Sequence, residues 1–423
     1  MAKKKKNTKR NNPQRKKEKK KFSFKFNKKV KSKAEQKRNK KRTVIISIVL
    51  AVVIFISSIP FIANAVTRAI HRNQLALFTP AVVESQITPG KEVDGNWAFV
   101  AARDFKIMQL SDLEIAAGFL STMEDSSAFN AIETMISMET PDFLVVTGDL
   151  VHTAISKSGT TNTMAALKIV ANMIDSLEVY WTVTLGEDDE MGTASRKEVA
   201  EYLASEELEY CLFELGDESV DGYGNNIIKI KNVEGKIIQA IYSFDTHGKS
   251  DEAIKPSQIE WYKSSLEKLN EENKEHLKDG ETTKTLAFMH KPLEEYKLGY
   301  EATKTQGADN IKLFYGHVKE DVGVSEKSDN LFETMLELKS TQGIFCGHDH
   351  LNTMSMEYEG IRLTYCGSID YLDYDGIDTL GKQRNCTIID VDLENSTFDC
   401  RSENFYQDRY ISYFAKGEVT DIK

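Results

Sequence analysis

The chain contains no Cys-x-x-Cys pair, no internal repeat and, outside its first 42 residues, no low-complexity stretch. The missing cysteine spacing removes a zinc-knuckle reading. The missing repeat removes solenoid and propeller arrays. Acid is nearly absent from residues 1–42, where 22 Lys and Arg face only Glu18 and Glu35, a balance of +20. So one-signed a segment cannot bury a core and is expected to be disordered. Charge of either sign is then absent over the 25 residues 43–67, an apolar run long enough to cross a bilayer as a helix.

Taken alone, the basic tail would suit a nucleic-acid arm. The adjoining apolar run favours a membrane instead, and no nucleic acid is expected as a partner. Lysines before a spanning helix stay in the cytoplasm and lie against anionic lipid headgroups, which places the rest of the chain outside. Pro60 followed by Ala63-Asn64-Ala65 resembles a signal-peptidase site, so cleavage after Ala65 would secrete the domain. The length of the apolar run favours a retained signal anchor. The domain boundaries expected are a cytoplasmic tail at 1–42, an anchor at 43–67, a stalk at 68–97 and a folded domain at 98–415. Beyond residue 42 the balance reverses to −30, with 33 basic and 63 acidic residues. Cys346 and Cys366 lie in apolar runs and read as buried thiols. Cys386 and Cys400 flank a hairpin, which leaves a cross-strand disulfide open.

Five apolar runs end in Asp, Glu or His, three of them through glycine. Phe105-Lys106-Ile107-Met108-Gln109-Leu110 enters Ser111-Asp112-Leu113-Glu114, and Asp142-Phe143-Leu144-Val145-Val146-Thr147 enters Gly148-Asp149. Tyr180-Trp181-Thr182-Val183-Thr184-Leu185 enters Gly186-Glu187-Asp188-Asp189. Thr285-Leu286-Ala287-Phe288-Met289 enters His290-Lys291-Pro292, and Gly343-Ile344-Phe345-Cys346 enters Gly347-His348-Asp349-His350. Short apolar runs bounded by turn residues fit buried strands. One strand-end acid is usually a cap or a turn residue. Five in chain order point to a metal centre at the strand ends of an α/β sheet.

Helical periodicity is expected near 126–138, 161–177, 194–209, 257–277 and 328–339, with Ser257 capping the fourth. Strands are expected at 227–230 and 237–243, then at 361–366, 386–391 and 396–400. Alternating strands and helices that give way to hairpins predict packed sheets with helices outside. His152, three residues after Asp149, could serve as a nearby acid or ligand but reads first as a loop or helix-start histidine, and His247 and His317 read as structural or solvated. Asp370, Asp373, Asp375 and Asp378 read as a solvated turn without the Ca²⁺-loop pattern.

These strand-end motifs, taken in order, resemble the calcineurin-like metallophosphoesterases over about residues 98–400. Gly148-Asp149, Met289-His290-Lys291-Pro292 and Gly347-His348-Asp349-His350 match best. Gln258-Ile259-Glu260-Trp261-Tyr262, and Ile241-Tyr242-Ser243-Phe244-Asp245 after Gly222-Tyr223-Gly224-Asn225, resemble the branch related to purple acid phosphatases. The resemblance implies an α/β fold, a four-layer α/β/β/α sandwich. It also implies two divalent metal ions (Mn, Fe, Zn, Mg or Ca) that clamp a phosphoester substrate and activate a water. Asp149 would bridge the metals. Asp112, Glu114 and His350 would complete one, and Glu187, His290 and His348 the other. Asp188 would fall where the family has the histidine that protonates the leaving group.

Two motifs depart from the family pattern. Glu114 replaces a histidine, Glu187 replaces an asparagine, and residues 186–190 also align with a one-residue deletion. Two acids leave a pair of divalent ions roughly +2, whereas four leave the centre nearly neutral and shift it toward oxygen-loving metals. Attraction for an anionic ester falls accordingly. An ordinary Asp, with a pKa of about 3.9, is ionised at neutral pH, so Asp188 serves as an acid only if burial or its acidic neighbours raise that pKa strongly. The departures point to metal binding with reduced or altered turnover, or to a binding module that keeps the fold.

Overall fold

A computed structural model describes residues 32–410 apart from 250, 251, 306–309, 328 and 408. The tail over 1–31 and the expected domain end at 415 lie outside the described residues. The chain order begins with α1 (Lys33–Leu75), β1 (Gly90–Lys91), β2 (Trp97–Ala101), β3 (Phe105–Leu110), α2 (Thr122–Glu139) and β4 (Phe143–Thr147). It continues through α3 (Ile155–Ser158), α4 (Thr163–Asp175), β5 (Trp181–Thr184), α5 (Arg196–Leu203), β6 (Asn226–Asn232) and β7 (Ile237–Ser243). Next come α6 (Pro256–Asn273), β8 (Thr285–Phe288), α7 (Glu294–Thr303), β9 (Ile311–His317), α8 (Leu331–Leu338) and β10 (Thr341–Cys346). Four strands finish it: β11 (Thr353–Tyr358), β12 (Ile361–Tyr365), β13 (Asn385–Asp392) and β14 (Thr397–Asn404).

The strands form two mixed sheets, as the resemblance implies. One has the order β1-β2-β6-β7-β8-β10-β12-β11-β9 and the other β14-β13-β3-β4-β5. Alternate residues explain why the motif strands read as unbroken apolar runs. On β3 and β4, Phe105, Ile107, Phe143 and Val145 face the core between the sheets, together with Leu286, Phe288 and Phe345. Met108, Leu110, Leu144 and Val146 point the other way, toward Phe129 and Ile132 of α2 and Leu167 and Val170 of α4. On the larger sheet, Ala287, Met289, Ile344 and Cys346 face Tyr262 and Leu266 of α6, Tyr296 of α7 and Phe332 of α8. Three separate cores thus define four layers, helices outside and two sheets within.

Within these sheets β3, β4 and β5 run parallel, and so do β7, β8, β10 and β12. Parallel neighbours bring their C-terminal ends to one edge. The five motif loops therefore converge there, three from the smaller sheet and two from the larger.

Several local expectations need correction. The helix expected at 194–209 ends at Leu203, and α6 is capped by Lys255 with Pro256 as its first residue. The Ser257 hydroxyl instead accepts from the Asp221 backbone N–H at 3.0 Å. All five cysteines are free thiols, and Cys346, Cys366, Cys386 and Cys400 are buried. The β13–β14 register pairs Cys386 with Glu403 and Cys400 with Ile389. The two thiols thus lie three ladder positions apart on opposite faces, which no disulfide spans.

One helix, α1, is long and apolar enough to cross a membrane by length and composition. The chain falls into two compact units that meet inside it, the first ending at Ser58 and the second beginning at Ile59. In the second unit, Asn64, Thr67 and His71 are buried and share one helix face with Gln74. Asn64 accepts from the Phe119 N–H and donates to the Gly159 carbonyl, each at 2.9 Å. Thr67 meets the Thr122 hydroxyl at 2.9 Å, His71 Nε2 meets Asp125 Oδ2 at 3.1 Å, and Gln74 donates to the Ser126 carbonyl. The segment read as a stalk begins with this docked helix and includes buried Ala81 and the β1–β2 pair.

Candidate metal centre

The turns that carry the motif residues are unusual in their backbone. Asp112, Glu114, Asp149 and His348 have φ of 50°, 52°, 50° and 82°. Non-glycine residues rarely occupy this left-handed region, and such strain gathers at functional sites. Backbone bonds hold the loops together: Asp112 N–H to Gly148 O at 3.1 Å and Leu113 N–H to Asp149 O at 2.8 Å. The glycines before the ligands are needed for close approach. A Cβ on Gly148 would overlap His290, one on Gly186 would overlap Asp149, and one on Gly347 would overlap Ser111.

Two groups of ligand-type atoms share Asp149. Asp149, His290 and His348 form one, and Asp112, Asp149 and His350 form the other, with donor atoms inside each group within 4.8 Å of one another. The tautomers suit metal binding. His290 Nδ1 lies 2.8 Å from the Thr147 carbonyl, which only accepts, so Nδ1 carries the proton. Its Nε2 sits 3.1 Å from Asp149 Oδ2 without hydrogen-bond alignment. A buried ring nitrogen facing a carboxylate suits a shared cation, which would take the place of the proton the nitrogen otherwise carries. His350 repeats the arrangement. Its Nδ1 is 2.8 Å from Asp370 Oδ2, and its Nε2 is 3.7 Å from Asp112 Oδ1. The donor set therefore fits a pair of divalent ions.

The electrostatics reflect crowding of buried acids. Burial raises Asp112 to about 6, and burial with the neighbouring Asp188 raises Glu114 well above its ordinary range. Burial opposes ionisation of Asp149 too, yet the facing His290 holds it low. Burial alone would lower His290, but the Asp149 carboxylate lifts it to about 9. Burial likewise opposes the charge on His350, which its bond to Asp370 lifts to about 10. Burial and the adjacent His290 push His348 far down, leaving it a neutral donor.

The third motif divides differently from the sequence expectation. Glu187 lies outside both groups, its Oε2 3.1 Å from Lys291 Nζ. Asp188 donates its backbone N–H to Asp149 Oδ1 at 2.8 Å, and its carboxyl lies 3.5 Å from His152 Nδ1. Burial, then Asp149 and Asp373, raise Asp188 to about 8. Asp189 is fully buried and accepts from the N–H groups of Gly186, Asp149 and Leu150. It ties two motif turns together. Arg196 braces the same turn by donating to the carbonyls of Leu185 and Gly186 while paired with buried Asp245. Asp245 accepts from Tyr223 N–H, and Gln258 donates to Asn225 and to the Asp245 carbonyl. The residues behind the purple-acid-phosphatase likeness are thus this brace.

The structure corrects the reading of Asp370 as part of a solvated turn, and His152 is a buried loop histidine beside Glu114. His152 is buried with Nδ1 2.7 Å from Glu114 Oε2, because a bridge between Ile115 and Val151 joins the two loops. Its position three residues after Asp149 was the available signal. Asp370 is wholly buried and orients His350. It lies 20 residues beyond that histidine, so no local pattern marks it.

A candidate dinuclear site at the shared edge of two sheets defines a class of metal-dependent α/β/β/α proteins. A model of the calcineurin-like phosphoesterases matches residues 105–352, and the chain belongs to that family. A probable inactive purple acid phosphatase 14 of Arabidopsis thaliana is 25% identical over 325 residues, 70% of this chain and 77% of that protein. Phosphatase DCR2 of Saccharomyces cerevisiae is 27% identical over 264 residues, 59% of this chain and 44% of that protein. Among solved structures, a dimetal phosphatase from Danio rerio matches 72% of this chain and 100% of its own, at 9% identity and a TM-score of 0.45.

Proposed function

We propose that this protein is a membrane-anchored, extracytoplasmic phosphoesterase that hydrolyses a phosphomonoester or phosphodiester, with reduced turnover. The observation that supports it is the matched pair His290 and His350. Each commits Nδ1 to a backbone or carboxylate oxygen and turns Nε2 toward Asp149 or Asp112. Asp149, His290 and His348 would hold one ion, and Asp112, Asp149 and His350 the other, with Glu114 Oε1 at the border 3.9 Å from His350 Nε2. Two divalent ions supply charge for a bound phosphate and acidify a water. Asp188, protonated up to about 8, holds the proton that a leaving oxygen needs.

A second reading, a degenerate binding module, is favoured by Glu187. Its ion pair neutralises Lys291, a cation beside the centre that an anionic ester would otherwise meet. The two readings separate in one assay. Full-length protein in detergent micelles with added Mn²⁺ should hydrolyse aryl phosphomonoesters or diesters faster than Asp149→Asn. Equal rates overturn the enzyme reading. The triple variant Glu114→His, Glu187→Asn, Asp188→His should then gain activity, since a restored acid is worth about 10² to 10⁴ in rate. Release of the chain from membranes by alkaline carbonate would overturn the anchor.

A further inference from the structure

We propose that Glu114, His152 and Asp188 form a third divalent-cation site beside the two-metal centre and share Glu114 with it. The shared edge rests on the phosphoesterase reading above; the site itself rests on its own residues. His152 is 2% exposed, and its Nδ1 faces three carboxylates: Glu114 Oε2 at 2.7 Å, Asp188 Oδ2 at 3.5 Å and Asp373 Oδ1 at 3.7 Å. One N–H serves one of them. Among the described residues, His152 Nε2 has no hydrogen-bond partner, so the second nitrogen adds nothing to holding these acids.

Glu114 faces two ways. Its side chain is 2% exposed, with Oε2 on His152 and Oε1 toward His350 Nε2 at 3.9 Å. Oε1 thus points into the space between the two groups, while Oε2 is taken by His152. A carboxylate placed this way would bridge two cations, as Asp149 would on the other side. Lys157, 3.8 Å from Asp373 and 35% exposed, sits at the mouth of the cluster, and His350, 3.9 Å from Glu114 Oε1, is already paired with Asp370. Buried acids this close together either hold protons or share a cation, and a divalent ion would displace those protons.

Two carboxylates and one imidazole suit Mn²⁺, with Asp373 at the mouth as a fourth ligand. The residues that build the site stand partly where the family has histidines, at 114 and 188, while His152 supplies the imidazole from a different loop. A cation held there keeps Asp188 as a ligand and withdraws it from proton donation. Occupancy and turnover then oppose each other.

The test is metal stoichiometry in the full-length protein, loaded with Mn²⁺ in detergent micelles, desalted and measured by mass spectrometry. Wild type should retain about three Mn²⁺ per chain, and His152→Ala or Asp188→Asn about two. Circular-dichroism melting in chelator checks folding, and Asp188→Asn carries the test if His152→Ala does not fold. Two ions in wild type and in both variants overturn the third site and leave the two-metal reading standing. One ion that His152→Ala removes and Asp149→Asn keeps supports the third site and overturns the two-metal reading. No retained ion overturns both.

Discussion

Asp370 shows how much one carboxylate behind a ligand can matter. It accepts from His350 Nδ1 and from the N–H groups of Leu372 and Asp373, so it is held before it holds the imidazole. Loss of such an orienting partner typically weakens metal affinity about 10- to 100-fold. Asp370→Asn should therefore shift Mn²⁺ binding by that range in calorimetry while leaving the unliganded fold intact. Unchanged affinity would remove Asp370 from the site. At this scale the sequence was legible where a candidate ligand follows a strand: Asp112, Asp149, His290, His348 and His350 lie together in the fold. It was illegible for His152 and Asp370, which reach the centre through other loops. Glu187 was misjudged for a related reason, since its partner Lys291 lies 104 positions away in sequence and only folding pairs them.

The element that bears most on the centre from outside it is the docked part of α1. His71 is one of four partners of buried Asp125, which also accepts from the N–H groups of Ala116 and Ala117 and from the Ser121 hydroxyl. Ala116 follows Glu114 by two residues, so α1 is fastened to the loop carrying a candidate ligand. His71→Ala should lower unfolding free energy by about 1–3 kcal/mol, as expected when a buried acceptor loses a partner. Denaturant titration of the metal-free protein in micelles reads this, and a change within about 0.5 kcal/mol would mark the contact as idle. Hydropathy disclosed a spanning helix but not this second use of it. Polar residues at 64, 67, 71 and 74 look like an ordinary exposed face until α2 and Gly159 are placed against them. Helix α7 and strand β9 also escaped the sequence reading, because α7 is short and β9 lies at a sheet edge with Leu313 and Phe314 exposed.

Over the whole molecule, the layer architecture was the most legible feature, because strands buried on both faces leave near-continuous apolar runs and the hairpins that follow the last motif add a second sheet. Its stability should depend on pH through acids away from the metals. Burial raises half-buried Glu295, at the start of α7, to about 7. An unfolded Glu titrates near about 4.3, so the folded state holds a proton that the unfolded chain releases, and stability falls as pH rises through that window. Glu295→Gln abolishes this component. Its stability should drop less than that of wild type between about pH 4.5 and 7 in parallel urea titrations, and coincident curves would refute the assignment.

Strand β3, which delivers Asp112, lies between β4 and β13, so its neighbour on one side is made of residues 385–392. That pairing sets an order of events during synthesis. The ribosome releases β3 early, but one edge of it stays open until almost the whole chain has emerged. Pairings so distant in sequence close slowly and expose an unpaired strand meanwhile. The first candidate metal-binding turn thus matures among the last parts of the fold. A nascent chain stopped at residue 352, where the family match ends, would present β3 as an adhesive edge rather than as half of a site.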